Sequence, residues 1–479
     1  MTAQTLKFGN DGWRALTGMV FTEENLLRVA DAFVRYLRAT SLEGRPIAVG
    51  FDGRYRSDAY AALFAEVLSG CGFPVLLSDR IIPTPVLSYT VFRNGCGAGI
   101  MITASHNPAS YNGVKFKASY GGPFVSEETR RVASFVQDRS EFPRSAALVR
   151  TTDMLTPYTE HLRTVIDFDT LRTYAADPAN DPSVMIDSMG GAGQTILEDI
   201  LTGLGWRAQT IFGSAEPGFY GRQPEPIEKN LEPLFYNVSV TDAILGIATD
   251  GDADRCAVCT GDGTWVSVQQ TILLLLWHLH KNKKMSGAVI KSVPVTDKVR
   301  VLAERWHLPF YDVNVSFQNI TDIMLKTDYL IGVEESAGFG VKGHLPERDG
   351  ILSGLLFCEM LAMSRKNIPE LWQEIRAVVG ELHYRRLDIP AEELDRTAIM
   401  QRCEHFHPSR NLEEFFIEKV RKLYDKETLN GIKFLFGDSR WLLIRASMTE
   451  PKVRIYAEGR TEDELERLLA EGRMLVGIP

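Results

Sequence analysis

The sequence predicts an α/β protein in which three similar α/β domains with mixed sheets are followed by an α+β C-terminal domain, arranged around a central cleft. Three observations lead there. At 479 residues the chain exceeds what one hydrophobic core supports, so three or four domains of roughly 100 to 150 residues are expected. A unit of apolar strand, small-residue loop, amphipathic helix and second apolar strand recurs three times, which implies βαβ units with sheets covered on both faces. After about residue 378 the pattern changes to helical, charge-rich stretches followed by apolar segments that read as antiparallel strands.

The first unit runs from Pro46-Ile47-Ala48-Val49-Gly50-Phe51 through the Asp52-Gly53-Arg54 turn and a helix near Asp58 to Cys71, returning at Pro74-Val75-Leu76-Leu77. The second begins at Val184-Met185-Ile186-Asp187, turns at Gly190-Gly191-Ala192-Gly193 and returns at Ala208 to Phe212. The third begins at Ala288-Val289-Ile290-Lys291, turns through Ser292 to Thr296 and returns near Phe310-Tyr311-Asp312-Val313. Polar or proline-bearing stretches near 140 to 157, 260 and 378 divide the chain into domains at 1–150, 151–258, 259–377 and 378–479. In the last, Gly431 to Phe436, Trp441 to Arg445 and Val453 to Ala457 read as strands. Thr461-Glu462-Asp463-Glu464 has the spacing of a capping box before Leu465, Leu468 and Leu469.

Composition excludes several classes. A 44% hydrophobic and 24% charged chain is ordinary for a globular enzyme, and a net charge of -9 argues against a nucleic-acid-coating surface. Ile272 to Trp277 is the greasiest run and is far below the ~20 residues a membrane helix needs. It reads as a buried helix. Met1 to Lys7 shows no secretory pattern, and six cysteines lack framework spacing, so a cytoplasmic protein with reduced, structural thiols is expected.

The chemistry concentrates on four loops, each placed after an apolar strand. Asp250-Gly251-Asp252-Ala253-Asp254-Arg255 packs three carboxylates that repel unless protonated or neutralised. Oxygen ligands on a short Gly-containing loop suit Mg²⁺, although an acidic turn uses the same residue types. Thr103-Ala104-Ser105-His106-Asn107-Pro108 exposes Ser105 at a strand end, with His106 and Lys115 as proton-handling partners; a serine there can be a nucleophile or carry a phosphoryl group, or simply make a turn. In Gly332-Val333-Glu334-Glu335-Ser336, carboxylate and hydroxyl together suit sugar hydroxyls. Arg445-Ala446-Ser447-Met448-Thr449-Glu450-Pro451 has the composition of a phosphate grip, as would a solvated turn. Four polar loops after four strands fit one cleft floor better than four separate decorations.

Together with Phe8-Gly9-Asn10-Asp11-Gly12-Trp13-Arg14, these loops resemble the α-D-phosphohexomutase family, in the family's order and over almost the whole chain. The resemblance implies a four-domain enzyme interconverting a hexose 1-phosphate and 6-phosphate, with one loop from each domain. It implies that Ser105 is a phosphoserine and that Asp250, Asp252, Asp254 and the phosphate on Ser105 hold Mg²⁺. Arg255 would steady charge, His106 and Lys115 would handle protons, and Arg14 would face the cleft. Glu334 and Ser336 would hold sugar hydroxyls, while Arg445, Ser447 and Thr449 would grip the non-reacting phosphate. By the same likeness a hexose 1,6-bisphosphate would serve as intermediate and activator, and the expected partners are small hexose phosphates, with no nucleic acid or membrane and a monomer or homodimer.

Val333, Met448 and Ser316-Phe317-Gln318 depart from the family's usual Gly, Gly and Gly-Phe-Lys. The Glu-Glu-Ser-Ala-Gly form of the sugar loop resembles glucose-directed mutases, so phosphoglucomutase activity is expected. Phosphomannomutase or phosphoglucosamine mutase activity is the alternative. Two rivals differ in class: a phosphatase with an aspartate nucleophile, which leaves the serine and sugar loops unexplained, and a non-catalytic sugar-phosphate-binding paralogue.

Overall fold

Each parallel strand that carries one of the first three polar loops ends in that loop and turns straight back as an antiparallel neighbour. The computed structural model that shows this describes residues 5–391, 395–408, 412, 415–425, 427–447 and 452–478. The chain divides into two compact units, Met1–Lys291 with Ser316–Leu371, and Ser292–Val315 with Trp372–Pro479.

The first unit holds two mixed sheets and the strands of a third that carry its polar loop. In the first, Ile47–Phe51, Val75–Ser78, Ala98–Ile102 and Val149–Thr152 run parallel, and Ala98–Ile102 pairs antiparallel with Tyr111–Ala118, which in turn pairs with Gly12–Leu16. In the second, Leu245–Thr249 lies parallel to Ser183–Asp187 and antiparallel to Cys256–Thr260. In the third, Tyr329–Glu334 lies parallel to Ala288–Ser292 and antiparallel to Gly338–Val341. The serine, aspartate and glutamate loops thus sit at equivalent places, the carboxyl ends of parallel strands, where open α/β sheets bind ligands.

Local chemistry explains the covering helices. Thr22 caps Glu23–Ala39 by accepting from the Asn25 amide, two acids sit in the first turn and Arg38 in the last, which suits the helix dipole. Its buried Leu26, Val29, Ala30, Phe33 and Leu37 recur at helical spacing. Phe33 stacks on Phe116 of the sheet at 5.2 Å, and burying such a side chain stabilises by roughly 1.5–3 kcal/mol. Gly350–Ser364 is different: thirteen of its residues are buried, so it has no polar face and forms part of the core. Asp349 caps it by accepting from the Leu352 amide. Its first residue must be glycine, because a Cβ at 350 would lie 2.3 Å from the Arg255 carbonyl oxygen.

The second unit contains a wholly antiparallel sheet in the order His383–Pro390, Lys452–Gly459, Trp441–Ala446, Thr428–Leu435, Lys419–Asp425. Helix Glu462–Val476 starts at the expected cap, Thr461. The charge-rich stretches expected to be helical include the two outer strands, His383–Pro390 and Lys419–Asp425, as well as helix Arg396–Glu404. Edge strands carry charge because it discourages further pairing, and that removes the apolar alternation from which strands are read. Val268–Trp277 is the expected buried helix, and among the described residues no helix is long and apolar enough to cross a membrane. All six cysteines are free.

One polar cluster ties helix Leu155–Leu162 to the segment between strand Gly338–Val341 and helix Gly350–Ser364. Tyr158 donates to Asp349 Oδ2 at 2.7 Å, His344 Nε2 lies 3.0 Å from that same oxygen, and His161 Nε2 meets His344 Nδ1 at 3.1 Å. Two rings in nitrogen contact share one hydrogen, so they cannot both be protonated without losing it. Burial, and then the neighbouring His344, pull His161 down to about 4. A histidine depressed when folded takes up protons more readily unfolded, so stability falls as pH drops from about 6.5 towards 4. Half exposure screens part of the effect. Melting temperatures between pH 7 and 4.5 should fall less steeply for His161→Gln than for the unsubstituted protein; equal slopes would remove this contact as the cause.

Candidate active site

The serine loop and the aspartate loop meet inside the first unit. Contrary to the exposed position expected from sequence, Ser105 is buried, because the aspartate loop packs against it, and its hydroxyl donates to Asp250 Oδ2 at 3.0 Å. Its backbone is left-handed, with φ of 53°, as is that of Ala253 between the last two aspartates, at 54°. For residues with a Cβ this conformation costs roughly 1–2 kcal/mol, so surrounding contacts must hold it. Gly251 permits the close approach: a Cβ there would stand 2.5 Å from the Ser105 carbonyl oxygen.

Asp250, Asp252 and Asp254 are fully buried and offer carboxylate oxygens within 4.8 Å of one another. Asp250 Oδ1 accepts from the amides of Asp254 and Arg255 at 2.9 and 3.1 Å. Lys115 Nζ, also fully buried, donates to Asp252 Oδ2 at 2.6 Å and Asp254 Oδ2 at 2.8 Å. Thr84 donates to Asp252 at 2.5 Å, and Arg348 to Asp254 at 2.6 Å. One oxygen on each of Asp252 and Asp254, the Oδ1 atoms, is buried without a hydrogen-bond partner. Buried carboxylate oxygens left open beside a third carboxylate fit a hard divalent cation with oxygen ligands.

Charge is distributed unevenly across the triad. Burial, then repulsion from Asp254 and Asp252, raises Asp250 well above the carboxylate range. Burial opposes ionisation of Asp254 too, but Arg348, Lys115 and Arg255 outweigh it and hold it well below. Asp252 is lowered, with burial and Asp254 overcome by Lys115 and Thr84. Lys115 is raised: burial works against its charge, and Asp252, Asp254 and Asp11 prevail. His106, half-buried after Ser105, is held well below its usual value by burial and then by Arg255 and Arg14. Its Nδ1 is buried without a hydrogen-bond partner.

Of the residues expected from sequence, the first unit gathers Ser105, Lys115, Asp250, Asp252 and Asp254 in direct contact. Arg255 lies 3.9 Å from Asp254 and 3.5 Å from Glu225. Arg14 donates to the Asn107 side chain at 2.8 Å, within the serine loop. Glu334 accepts from Ser336 at 2.9 Å. Arg445 lies half-buried on Trp441–Ala446 and Ser447 is buried at its end, both in the second unit. Thr449 and Met448 lie outside the described residues.

Sequence reasoning missed Arg348 and Thr84, and gave Asp11, within the Phe8 to Arg14 motif, no role. Arg348 links two loops, reaching Glu334 at 3.4 Å as well as Asp254, and lies 3.7 Å from Asp11. Three successive charges, Glu347-Arg348-Asp349, directly before an apolar helix were the available signal. Burial opposes charge on Asp11, but Lys115 and Arg348 overcome it and hold the carboxyl at about 2. Gln318, at a departure from the expected pattern, accepts from Ser126 at 2.8 Å and donates to the Asn10 carbonyl.

Four family models match in sequence: phosphoglucomutase/phosphomannomutase alpha/beta/alpha domain I at residues 5–142, domain II at 156–263, domain III at 267–378 and the C-terminal domain at 409–473. A protein of Methanothermobacter thermautotrophicus named as a probable phosphoglucosamine mutase is 30% identical over 95% of this chain and 94% of its own. A Thermococcus kodakarensis phosphoglucomutase/phosphomannomutase is 27% identical, covering 98% of both chains. A Thermus thermophilus crystal structure assigned as a phosphomannomutase superposes with a TM-score of 0.84 at 32% identity, over 99% of this chain and all of that one.

Removing the buried ammonium should expose how the triad is neutralised. Lys115→Met leaves Asp252 and Asp254 short of a counter-charge, and unfolding in denaturant should show a loss of about 3–5 kcal/mol without metal. Added Mg²⁺ should restore more stability to this variant than it adds to the unsubstituted protein; equal increments would show that cation and ammonium do not share those carboxylates.

Proposed function

This chain belongs to the α-D-phosphohexomutase family and is an intramolecular phosphotransferase acting on hexose phosphates, and on that premise we propose that it interconverts glucose 1-phosphate and glucose 6-phosphate through phosphorylated Ser105. The observation that carries the proposal is the 3.0 Å contact between Ser105 Oγ and Asp250 beside two more buried carboxylates. An aspartate-nucleophile phosphatase has no use for a buried serine aimed at its acidic cluster.

In the first transfer the bond from phosphorus to Ser105 Oγ breaks, a bond to the free sugar hydroxyl forms, and the hydroxyl proton passes by way of neutral His106 to the departing serine oxygen, beside which the Lys115 ammonium can donate a proton but not accept one. The resulting hexose 1,6-bisphosphate turns end for end and returns its other phosphoryl group to Ser105, with the proton going back. Added bisphosphate would load a resting, unphosphorylated serine in the same way. Asp250, Asp252, Asp254 and the phosphate on Ser105 would hold Mg²⁺, which supplies positive charge to phosphoryl oxygens. Arg255 and Arg14 would add fixed cationic donors beside the same loop. Glu334 and Ser336 would accept and donate to sugar hydroxyls, with Arg348 holding Glu334 in place. Arg445, Ser447 and Thr449 would bind the phosphate that is not reacting.

The glucose preference rests on the Glu334-Glu335-Ser336-Ala337-Gly338 sequence. A glucosamine preference is favoured by a different observation, the name of the 30% identical relative. Ser105→Ala should lower turnover by at least about 10³-fold with the fold intact, because no other hydroxyl replaces the carrier. Coupled assays with glucose, mannose and glucosamine 1-phosphates should give the highest kcat/KM for glucose. Wild-type rates in Ser105→Ala would refute the phosphoserine route, and a clear glucosamine preference would replace the substrate assignment.

A further inference from the structure

Arg54 is almost fully buried in the Asp52-Gly53-Arg54 turn, and its guanidinium is filled by backbone carbonyls of one loop. Nη2 donates to the carbonyls of Ser105 and Asn107, both at 2.6 Å, and Nη1 to those of Pro108 and Tyr111 at 2.8 and 2.9 Å. Nε lies 3.3 Å from Asp52 Oδ2, and the Phe219 ring lies 4.7 Å beneath the guanidinium carbon. Such a planar fork presents donors in fixed directions, which an ammonium cannot reproduce.

A second arm leaves the same carboxylate. Thr103 donates to Asp52 Oδ2 at 2.5 Å, and its oxygen accepts the Ser105 amide at 2.9 Å. The other carboxylate oxygen is occupied by Ser57 and by the Arg54 amide, so Asp52 has no freedom to swing. The two polar backbone groups of Ser105, the one left-handed residue of its loop among those described, are therefore both held by groups that branch from Asp52.

From this geometry we propose that Asp52, Arg54 and Thr103 form a positioning unit for phosphoryl transfer. They clamp the amide and carbonyl of Ser105 so that its oxygen points at Asp250 and the metal-binding carboxylates. The inference rests on the phosphoserine reading and adds a cause for the serine's strained conformation. None of the three need touch substrate. Their effect falls on the rate of transfer to and from Ser105 rather than on sugar affinity.

Thr103→Val keeps the shape and removes the hydroxyl, Thr103→Ser restores it, and Arg54→Lys keeps the charge and removes the fork. Each variant with an intact melting profile is assayed for kcat and KM with glucose 1-phosphate, and for the rate at which glucose 1,6-bisphosphate adds one phosphoryl mass to the chain. Thr103→Val and Arg54→Lys should lose about 10²-fold in kcat and in loading rate, as misplacement of a reacting group does, with KM held within about threefold. Thr103→Ser should recover most of the loss. Loading and kcat within threefold of wild type in folded Thr103→Val would overturn the proposal, even if Arg54→Lys does not fold. A KM rise that accounts for the whole defect would do the same. A wild-type chain that carries no phosphoryl group on Ser105 either before or after treatment with the bisphosphate overturns the phosphoserine reading and this inference together, whereas normal wild-type loading beside unaffected variants overturns the inference alone.

Discussion

Neutralisation of three buried aspartates is the constraint from which the rest of the site follows. Carboxylates at this spacing, away from water, are tolerated only when cations, protons or strong donors face them. Lys115, Arg348 and Thr84 arrive from three separate parts of the chain to meet Asp252 and Asp254. Asp250 receives two backbone amides and the serine hydroxyl instead. The asymmetry has chemical meaning. The member of the triad least able to ionise is the one facing the serine, so a metal ion and a phosphate would together complete an arrangement that protein groups alone leave uneven.

The topology makes such a meeting economical. Three sheets repeat one connection, a parallel strand followed by a hairpin return, and each puts its polar loop at the strand's carboxyl end. Chemistry can then diverge by loop while the scaffolds stay alike: hydroxyl on the first, carboxylates on the second, carboxylate with hydroxyl on the third. Arg348 couples the last two by touching Asp254 and Glu334 at once. A residue with contacts on both loops transmits a displacement of either one, which gives the pair a mechanical link as well as an electrostatic one.

Much of this was legible in the linear chain, for identifiable reasons. Asp250 to Asp254 stood out because like charge is concentrated where a strand has just ended. Ser105 stood out through its neighbours His106 and Pro108. Ile47 to Phe51, Ser183 to Asp187 and Ala288 to Ser292 were readable because buried parallel strands are continuously apolar. Arg348 and Thr84 were not, since their partners lie 94 and 168 positions away; only the charge run Glu347-Arg348-Asp349 marks the first, and nothing local marks the second. Arg54 was visible only as part of a turn, although four carbonyls converge on it. The outer strands of the last sheet read as helix because their charges hide the alternation. Thr449 lies outside the described residues, so the fourth loop rests on Arg445, Ser447 and the family relation.

The helix Gly350–Ser364 has a consequence for how the enzyme ages. Its amide at 350 donates to the Ala253 carbonyl at 3.0 Å, and the space beside the Arg255 carbonyl admits only a hydrogen atom. An interior rod with no wet face cannot fray independently of the core around it. The aspartate turn is therefore tethered to a segment buried on all sides, and its loss on heating is expected to follow the opening of that segment rather than the wandering of a surface loop.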